Sequence, residues 1–222
     1  MVHLHAEGNA NWQLSDDVVD YLKRHLKPGM HTLETGAGLS TITFAECGAR
    51  HTAVTPAEAE VAAIRQEMQR RGVSDEHCQF LVGYSQDILP QQTGELDLAL
   101  IDGGHGFPIP QVDWTYIAPR LKVGGTLIVD DVDLWTGKSL VDFMREEPGW
   151  EHLETLRGRT AIFRLTAPCE LKEWCDQPFV KSRSRWPQLR RKLFNGLKIM
   201  ISGDFATLRK KLAHDRELRD AD

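Results

Sequence analysis

The chain has 222 residues, enough for one globular domain that needs no disulfide or metal to hold its core together. Its residues are 41% hydrophobic and 27% charged, which excludes a fibrous or disordered chain. The net charge of −5 is unevenly spread. Residues 1–180 carry 15 basic and 27 acidic side chains, whereas residues 181–222 carry 12 and 5. This difference predicts a basic segment appended to an acidic body.

The predicted elements alternate between helices and strands. Helices are expected from Ser15 to Pro28-Gly29, at residues 39–47 and at residues 56–71. Five strands are expected at residues 30–33, 51–54, 79–82, 96–101 and 126–129, and a closing pair at 153–156 and 160–165. We therefore predict a Rossmann-like, doubly wound, mostly parallel sheet of seven strands with an antiparallel edge hairpin.

The start of the sequence and its cysteines indicate a cytoplasmic protein. Residues 1–12 lack the basic start and apolar core of a secretory signal, and the chain has no run of 18 apolar residues. The four cysteines are scattered, and no histidine-rich neighbourhood completes a zinc site around Cys169 and Cys175. We expect reduced thiols.

A glycine turn follows the first strand, at Gly36 and Gly38. In a doubly wound sheet, such a turn lets the backbone approach a ligand closely. A dinucleotide fingerprint would have a third glycine at position 41, where the chain has Thr41. A nicotinamide-dependent oxidoreductase is therefore a disfavoured alternative.

Residues 33–41, LETGAGLST, resemble the first motif of class I S-adenosylmethionine (SAM) methyltransferases. The resemblance implies a SAM-binding turn made of Glu34, Gly36, Ala37, Gly38 and Ser40. In that family an acid at the end of the second strand holds the ribose. Thr55 stands at that position here, and Glu58 is the nearest carboxylate that can replace the acid. A degenerate methyltransferase fold that only binds is therefore a second alternative.

Residues 83–91, GYSQDILPQ, resemble the adenine-side loop of the catechol O-methyltransferase family. The resemblance places Ser85 and Gln86 beside the adenine ring. It extends over about residues 12–165 of the chain and is more specific in the loops than in the helices.

Acidic residues follow two neighbouring strands: Asp102 after the fourth, and Asp130 and Asp131 after the fifth. Asp102 is also expected to be among the cofactor-binding residues. Three carboxylates at one edge of a sheet repel one another unless a cation joins them, and oxygen ligands suit Mg²⁺ or Mn²⁺. The pattern resembles the metal site of cation-dependent O-methyltransferases, of the catechol type and of the macrocin type that acts on sugars. Capping of a loop or helix is the alternative role for these acids.

His105 lies three residues after Asp102 on a glycine-rich loop. An imidazole can take a hydroxyl proton near neutral pH, so we expect His105 to act as general base beside Asp102. In the catechol family a lysine at this offset has that role. A purely structural histidine is the alternative.

These features together predict a SAM-dependent, Mg²⁺-dependent O-methyltransferase. The acceptor is expected to be a small molecule, a sugar, a glycan precursor or another polyhydroxylated compound. Trp135 is a candidate wall for a ring-shaped acceptor, with a core or lid position as the alternative.

We predict a methyltransferase domain at residues 1–167 and a basic amphipathic extension at residues 168–222. Within the extension, residues 168–187 are expected to be irregular, and two basic helices broken at Gly203 are expected to follow. Three roles stay open: contact with anionic lipid at the inner face of the membrane, contact with RNA, and packing on the body or on a second subunit. RNA is disfavoured because no recognition motif is visible.

Overall fold

Seven strands form one sheet in the computed structural model of the protein, which describes residues 14–201. The strands are β1 (His31–Thr35), β2 (Arg50–Thr55), β3 (Cys78–Val82), β4 (Leu96–Ile101), β5 (Leu121–Val129), β6 (Trp150–Leu156) and β7 (Thr160–Leu165). Their order is β3-β2-β1-β4-β5-β7-β6, and β7 runs antiparallel to both of its neighbours. The predicted Rossmann-like sheet with an antiparallel edge is confirmed.

The described residues form seven α-helices. They are α1 (Asp16–His25), α2 (Leu39–Glu46), α3 (Glu58–Arg71), α4 (Ser85–Ile88), α5 (Ile109–Ile117), α6 (Trp135–Glu146) and α7 (Pro178–Ile201). None of the helices in this part of the chain is both long and apolar enough to cross a membrane.

Helices cover both faces of the sheet. In β4, Leu98 and Leu100 pack with α1 and α2, while Ala99 and Ile101 pack with α5 and α6 on the opposite face. Because successive side chains of a strand point to opposite faces, a strand covered on both sides must be apolar throughout. The nearly continuous apolar run at residues 96–101 meets this requirement.

Strand β5 begins at Leu121, five residues before its predicted start. Gly124 and Gly125, which directly precede the predicted strand at residues 126–129, lie inside β5. The pairing of β5 with β4 shifts register there, between Leu96 and Leu98. A bulge absorbs the extra residues, so the glycines interrupt the ladder without ending the strand.

Residue contacts divide the chain into two units, 1–171 and 172–222. In the second unit, α7 includes residues 178–187, so the expectation that residues 168–187 are irregular was wrong for that part. Pro187 lies inside the helix, where it removes one backbone hydrogen bond without ending the helix. The predicted break at Gly203 lies outside the described residues. The predicted boundary between 167 and 168 stays a prediction.

Candidate active site

A cavity of about 630 Å³ lies at the carboxyl ends of β1 and β4. These two strands are neighbours in the sheet, but the chain continues from β1 towards one edge of the sheet and from β4 towards the other edge. Doubly wound sheets bind their ligands at the point where the strand order reverses in this way. The volume is within the range of cofactor pockets. Its wall includes the glycine turn, the end of β2, the start of α4 and the loop after β4.

Gly36 brings the glycine turn against the loop after β4. Its backbone has φ +89°, a left-handed conformation that favours glycine. A Cβ atom at this position would lie 2.3 Å from the carbonyl oxygen of Asp102. Both observations require glycine. Ala37, Gly38 and Ser40 also line the cavity, as predicted for the turn.

Glu34 lies behind the turn, fully buried, and is not part of the cavity wall. The Thr41 hydroxyl donates a hydrogen bond to its Oε1, and the Gly38 N–H donates to the Thr41 hydroxyl at 3.0 Å. His51 Nε2 lies 3.1 Å from the same Glu34 oxygen, and His51 Nδ1 lies 2.9 Å from the Thr32 hydroxyl. The structure therefore places Glu34 as a support of the turn. Thr41, which argued against a dinucleotide, is part of that support.

Thr55 ends β2 and is buried in the cavity wall. Its hydroxyl donates a hydrogen bond of 2.8 Å to Glu60 Oε2. Glu60 lines the cavity, whereas Glu58, the carboxylate that we expected to replace the missing acid, does not. The two residues lie about half a turn apart on α3, so only one of them can face the strand end. The position of each glutamate around the helix axis was the sequence signal that could have identified Glu60 instead of Glu58.

Ser85 and Gln86 line the cavity from the start of α4, beside the exposed Tyr84. The segment that resembled a loop is thus the first turn of a short helix. Behind it lies Asp113 of α5, which is fully buried and which the sequence analysis missed. Neither of its carboxylate oxygens has a hydrogen-bond partner in the described part of the chain.

The pKa of the Asp113 carboxyl is raised by burial, and the nearby hydroxyls of Ser85 and Thr35 oppose the shift. Burial penalises the charged form of a carboxyl, and here this effect outweighs the two hydroxyls. Asp113 therefore lies beneath the wall that Ser85 forms, with a carboxyl pKa above its usual value.

Asp102, His105 and Asp131 converge at the other end of the cavity. One ligand atom from each lies within 4.8 Å of the others. His105 Nε2 is 3.0 Å from Asp131 Oδ2. Asp131 has φ +52°, a conformation rare for residues other than glycine, asparagine and aspartate. Strained backbone of this kind is concentrated at functional sites.

Asp130 is not part of this group. Its carboxylate is buried and accepts a hydrogen bond from the Thr160 hydroxyl. Burial raises its pKa, the Thr160 hydrogen bond lowers it, and the charge of Asp131 raises it further. The structure thus brings together Asp102 and Asp131 of the three predicted ligands, with His105 as the third member.

Arg159 provides a positive charge at this group and was missed by the sequence analysis. Its Nη2 lies 2.5 Å from Asp131 Oδ1, and its Nε lies 4.0 Å from Asp130 Oδ2. The residue directly precedes β7, which runs antiparallel to β5 and so begins where β5 ends. The predicted antiparallel pair at residues 153–156 and 160–165 already implied that the residue before its second strand lies near the end of β5.

The pKa of Asp102 is raised well above its usual value. Burial is the largest cause, followed by the negative charges of Asp130, Asp131 and Glu34, and Arg159 opposes the shift. Arg159 therefore does not fully compensate the acids. The carboxylates of Asp102 and Asp131 fit a divalent cation such as Mg²⁺ or Mn²⁺, and the imidazole of His105 lies beside them.

Trp135 does not line the cavity. It is 67% exposed at the start of α6, and its ring lies 5.8 Å from that of Phe107. Its neighbour Leu134 is in the cavity wall instead. Phe107 belongs to the loop after β4, and Trp135 begins α6 directly after the loop that follows β5. The expected wall for an acceptor ring stays a prediction.

Comparisons with known proteins give a match to one protein family over part of the chain. Residues 33–132 match a family described as a methyltransferase domain. No curated protein sequence matches the chain at a significant level.

Solved structures share the fold. The cofactor-bound Rv0187 from MTB has a TM-score of 0.59 and 21% identity, over 69% of this chain and 81% of its own. The O-methyltransferase TomG from Streptomyces achromogenes, in complex with SAM, has a TM-score of 0.59 and 16% identity, over 71% and 83%. The SAH-bound methyltransferase PaMTH1 from Podospora anserina has a TM-score of 0.58 and 18% identity, over 73% and 83%.

Proposed function

We propose that this chain, whose residues 33–132 form a methyltransferase domain of the class I SAM-dependent fold, transfers a methyl group from SAM to a hydroxyl of a small acceptor. The expected fold is thus confirmed, and the family match at residues 33–132 supports the expected relationship to methyltransferases. The observation that carries the reaction is the cavity, which joins the glycine turn and the start of α4 to the group of Asp102, His105 and Asp131. A sugar or another polyhydroxylated compound is the acceptor that we propose.

Binding of SAM would use the cavity from end to end. The glycine turn offers backbone groups to the methionine part, and Ser85 and Gln86 lie where the adenine is expected. Glu60, held by Thr55, supplies the carboxylate for the ribose hydroxyls. The methyl group of SAM is already activated, so the protein mainly has to position both reactants and deprotonate the acceptor.

Proton removal is assigned to His105. Its Nε2 is bound to Asp131, so a neutral ring that donates from Nε2 keeps Nδ1 available to accept the acceptor's proton. Asp131 would orient the ring and stabilise the cation that forms, as a carboxylate does for the histidine of a hydrolase triad. Asp131 is oriented in turn by Arg159.

A divalent cation, Mg²⁺ or Mn²⁺, would be held by Asp102 and Asp131, the ligands on which prediction and geometry agree. When bound, it would supply Lewis-acid chemistry by lowering the pKa of the acceptor hydroxyl. Asp130 would contribute only if its carboxylate moved towards the other two, because it lies outside their group. Asp102 is therefore the ligand whose replacement tests the site most directly.

Calorimetry with SAM tests the cofactor. A SAM signal in the nanomolar to micromolar range is expected, whereas its absence would refute the proposed enzyme and favour a degenerate fold. The metal is tested by titrating the protein with Mn²⁺ and following the unbound ion by electron paramagnetic resonance. Asp102→Asn should remove the bound ion and leave SAM affinity nearly unchanged. The control is Asp133→Asn, which changes an exposed acid near the site. Equal Mn²⁺ binding by both variants would overturn the metal site.

Three further expectations stay predictions. They are a cytoplasmic location, assembly of two or more copies, and contact of the basic extension with an anionic membrane.

A further inference from the structure

Helix α7, residues 178–201, combines many positive charges with exposed apolar side chains. Its sequence has seven basic residues and no acidic one: Lys181, Arg183, Arg185, Arg190, Arg191, Lys192 and Lys198. An unbroken excess of positive charge over 24 residues favours an anionic surface as the partner.

The apolar side chains of α7 recur every three or four residues. Six of them are between 48% and 79% exposed: Trp186, Leu189, Leu193, Phe194, Leu197 and Ile201. With 3.6 residues per turn they occupy an arc of about 140°. Exposure of six large apolar side chains on one helix indicates that the described structure lacks the partner of this face.

Arg190 lies within the apolar arc. A long basic side chain can lay its methylene stem along apolar groups while its charged end reaches a polar layer. Trp186 has a similar character, because its ring is apolar and its N–H needs a polar partner. Both residue types suit a boundary between acyl chains and headgroups better than a dry protein interface.

We propose that α7 is an interfacial helix that lies in the plane of an anionic membrane, with the arc from Trp186 to Ile201 in the acyl boundary and the basic side chains among the headgroups. RNA would match the charges but would leave the apolar arc exposed. A second copy of α7 would cover the apolar arc but would bring two strongly basic helices together. An anionic lipid surface matches both the positive charges and the apolar arc. The proposal is independent of the enzymatic function.

Co-sedimentation of the full chain with vesicles provides the test. The protein should bind vesicles of equal parts phosphatidylcholine and phosphatidylglycerol, bind phosphatidylcholine alone far more weakly, and dissociate as salt is raised. Absence of binding to the anionic vesicles at low salt, or equal binding to both kinds, would overturn the proposal.

A charge variant measures the electrostatic contribution of α7 to vesicle binding. Replacing Arg190, Arg191 and Lys192 together by Gln should weaken binding about 100-fold, since each cation near such a surface contributes a factor of about five. The control replaces Lys27 and Arg50, exposed cations of the other unit, by Gln. It should bind like the wild type, and equal loss in both variants would contradict the assignment to α7.

An apolar variant separates the hydrophobic part. Leu193→Ser with Leu197→Ser should weaken binding at least about tenfold, because both side chains lose their burial among acyl chains. The control is Leu171→Ser with Trp174→Ser, which changes exposed apolar residues outside the helix. Thermal unfolding of each variant verifies that the body stays folded.

Sedimentation velocity without lipid tests the alternative that a second copy of the chain covers the apolar arc of α7. If the wild type is a dimer that the apolar variant converts to a monomer, and neither binds vesicles, the face is an interface between copies and the membrane proposal is wrong. Binding of single-stranded RNA that the charge variant loses, without binding to vesicles, would refute it in favour of a nucleic-acid partner.

Discussion

Replacing Gly36 by alanine tests the close approach between the glycine turn and the loop after β4. The added Cβ would lie 2.3 Å from the Asp102 carbonyl oxygen, and Cβ atoms essentially never come closer than 3.0 Å to such an atom. The two backbone segments must therefore separate by at least about 0.7 Å. This movement would shift the turn relative to Asp102.

Two effects lower the stability of the Gly36→Ala variant. Alanine at φ +89° costs about 1–2 kcal/mol in backbone conformation. The steric overlap adds about 1–3 kcal/mol, as overpacking does in a dense interior. We expect Gly36→Ala to lower the free energy of unfolding by about 2–5 kcal/mol. We also expect SAM to bind at least about tenfold more weakly, since a distortion of 1.4 kcal/mol at the site has that effect.

Gly29→Ala is the matched control. Gly29 has φ +80°, and a Cβ there would meet no atom within 4 Å. This variant should lose only the conformational contribution and keep its SAM affinity. Urea denaturation and calorimetry with SAM measure both quantities. If the two variants are equally destabilised and Gly36→Ala binds SAM like the wild type, the close approach is not what requires glycine.

Two further predictions concern carboxylates. Glu60→Gln should weaken SAM binding about tenfold by removing charged hydrogen bonds to the ribose, whereas Glu58→Gln should not; equal affinities would contradict the assignment. The Asp113 carboxyl has a higher pKa in the folded state than its ordinary value of 3.8. The stability that it contributes is therefore fully present below pH 3.8 and is lost as the pH rises through the pKa of the folded state. Asp113→Asn should therefore raise the free energy of unfolding at pH 7 by on the order of 1 kcal/mol and leave it nearly unchanged at pH 3. Urea unfolding at both pH values checks this, and a variant less stable at pH 7 would refute it.

The order of the elements could be predicted from the sequence because each signal is local. Helical spacing, the apolar run of β4 and the glycines after β1 act within a few residues. The start of β5 was missed because a glycine pair has the same composition in a turn and in a bulge. The pairing with β4, which distinguishes the two, comes from distant residues.

The candidate site was predicted at its strand ends but not in its side-chain contacts. Consecutive residues that leave a strand point to different sides, so Asp130 and Asp131 could not both join Asp102 unless the backbone turned. The sequence shows their adjacency but not which one faces the cavity. Asp113 and Arg159 were missed because helix packing and hairpin pairing bring them to the site.

The hairpin between β6 and β7 has a consequence for how the protein tolerates change. Ala161 pairs with Val129, and this alignment determines that Arg159 reaches Asp131. A shift of the pairing by one residue would turn every β7 side chain to the opposite face of the sheet. It would move Phe163 out of the core cluster that it fills now and, in the same step, leave Asp131 without its counter-ion. Insertions and deletions in this short turn should therefore be as damaging as changes within the cavity, although the turn itself is exposed to solvent.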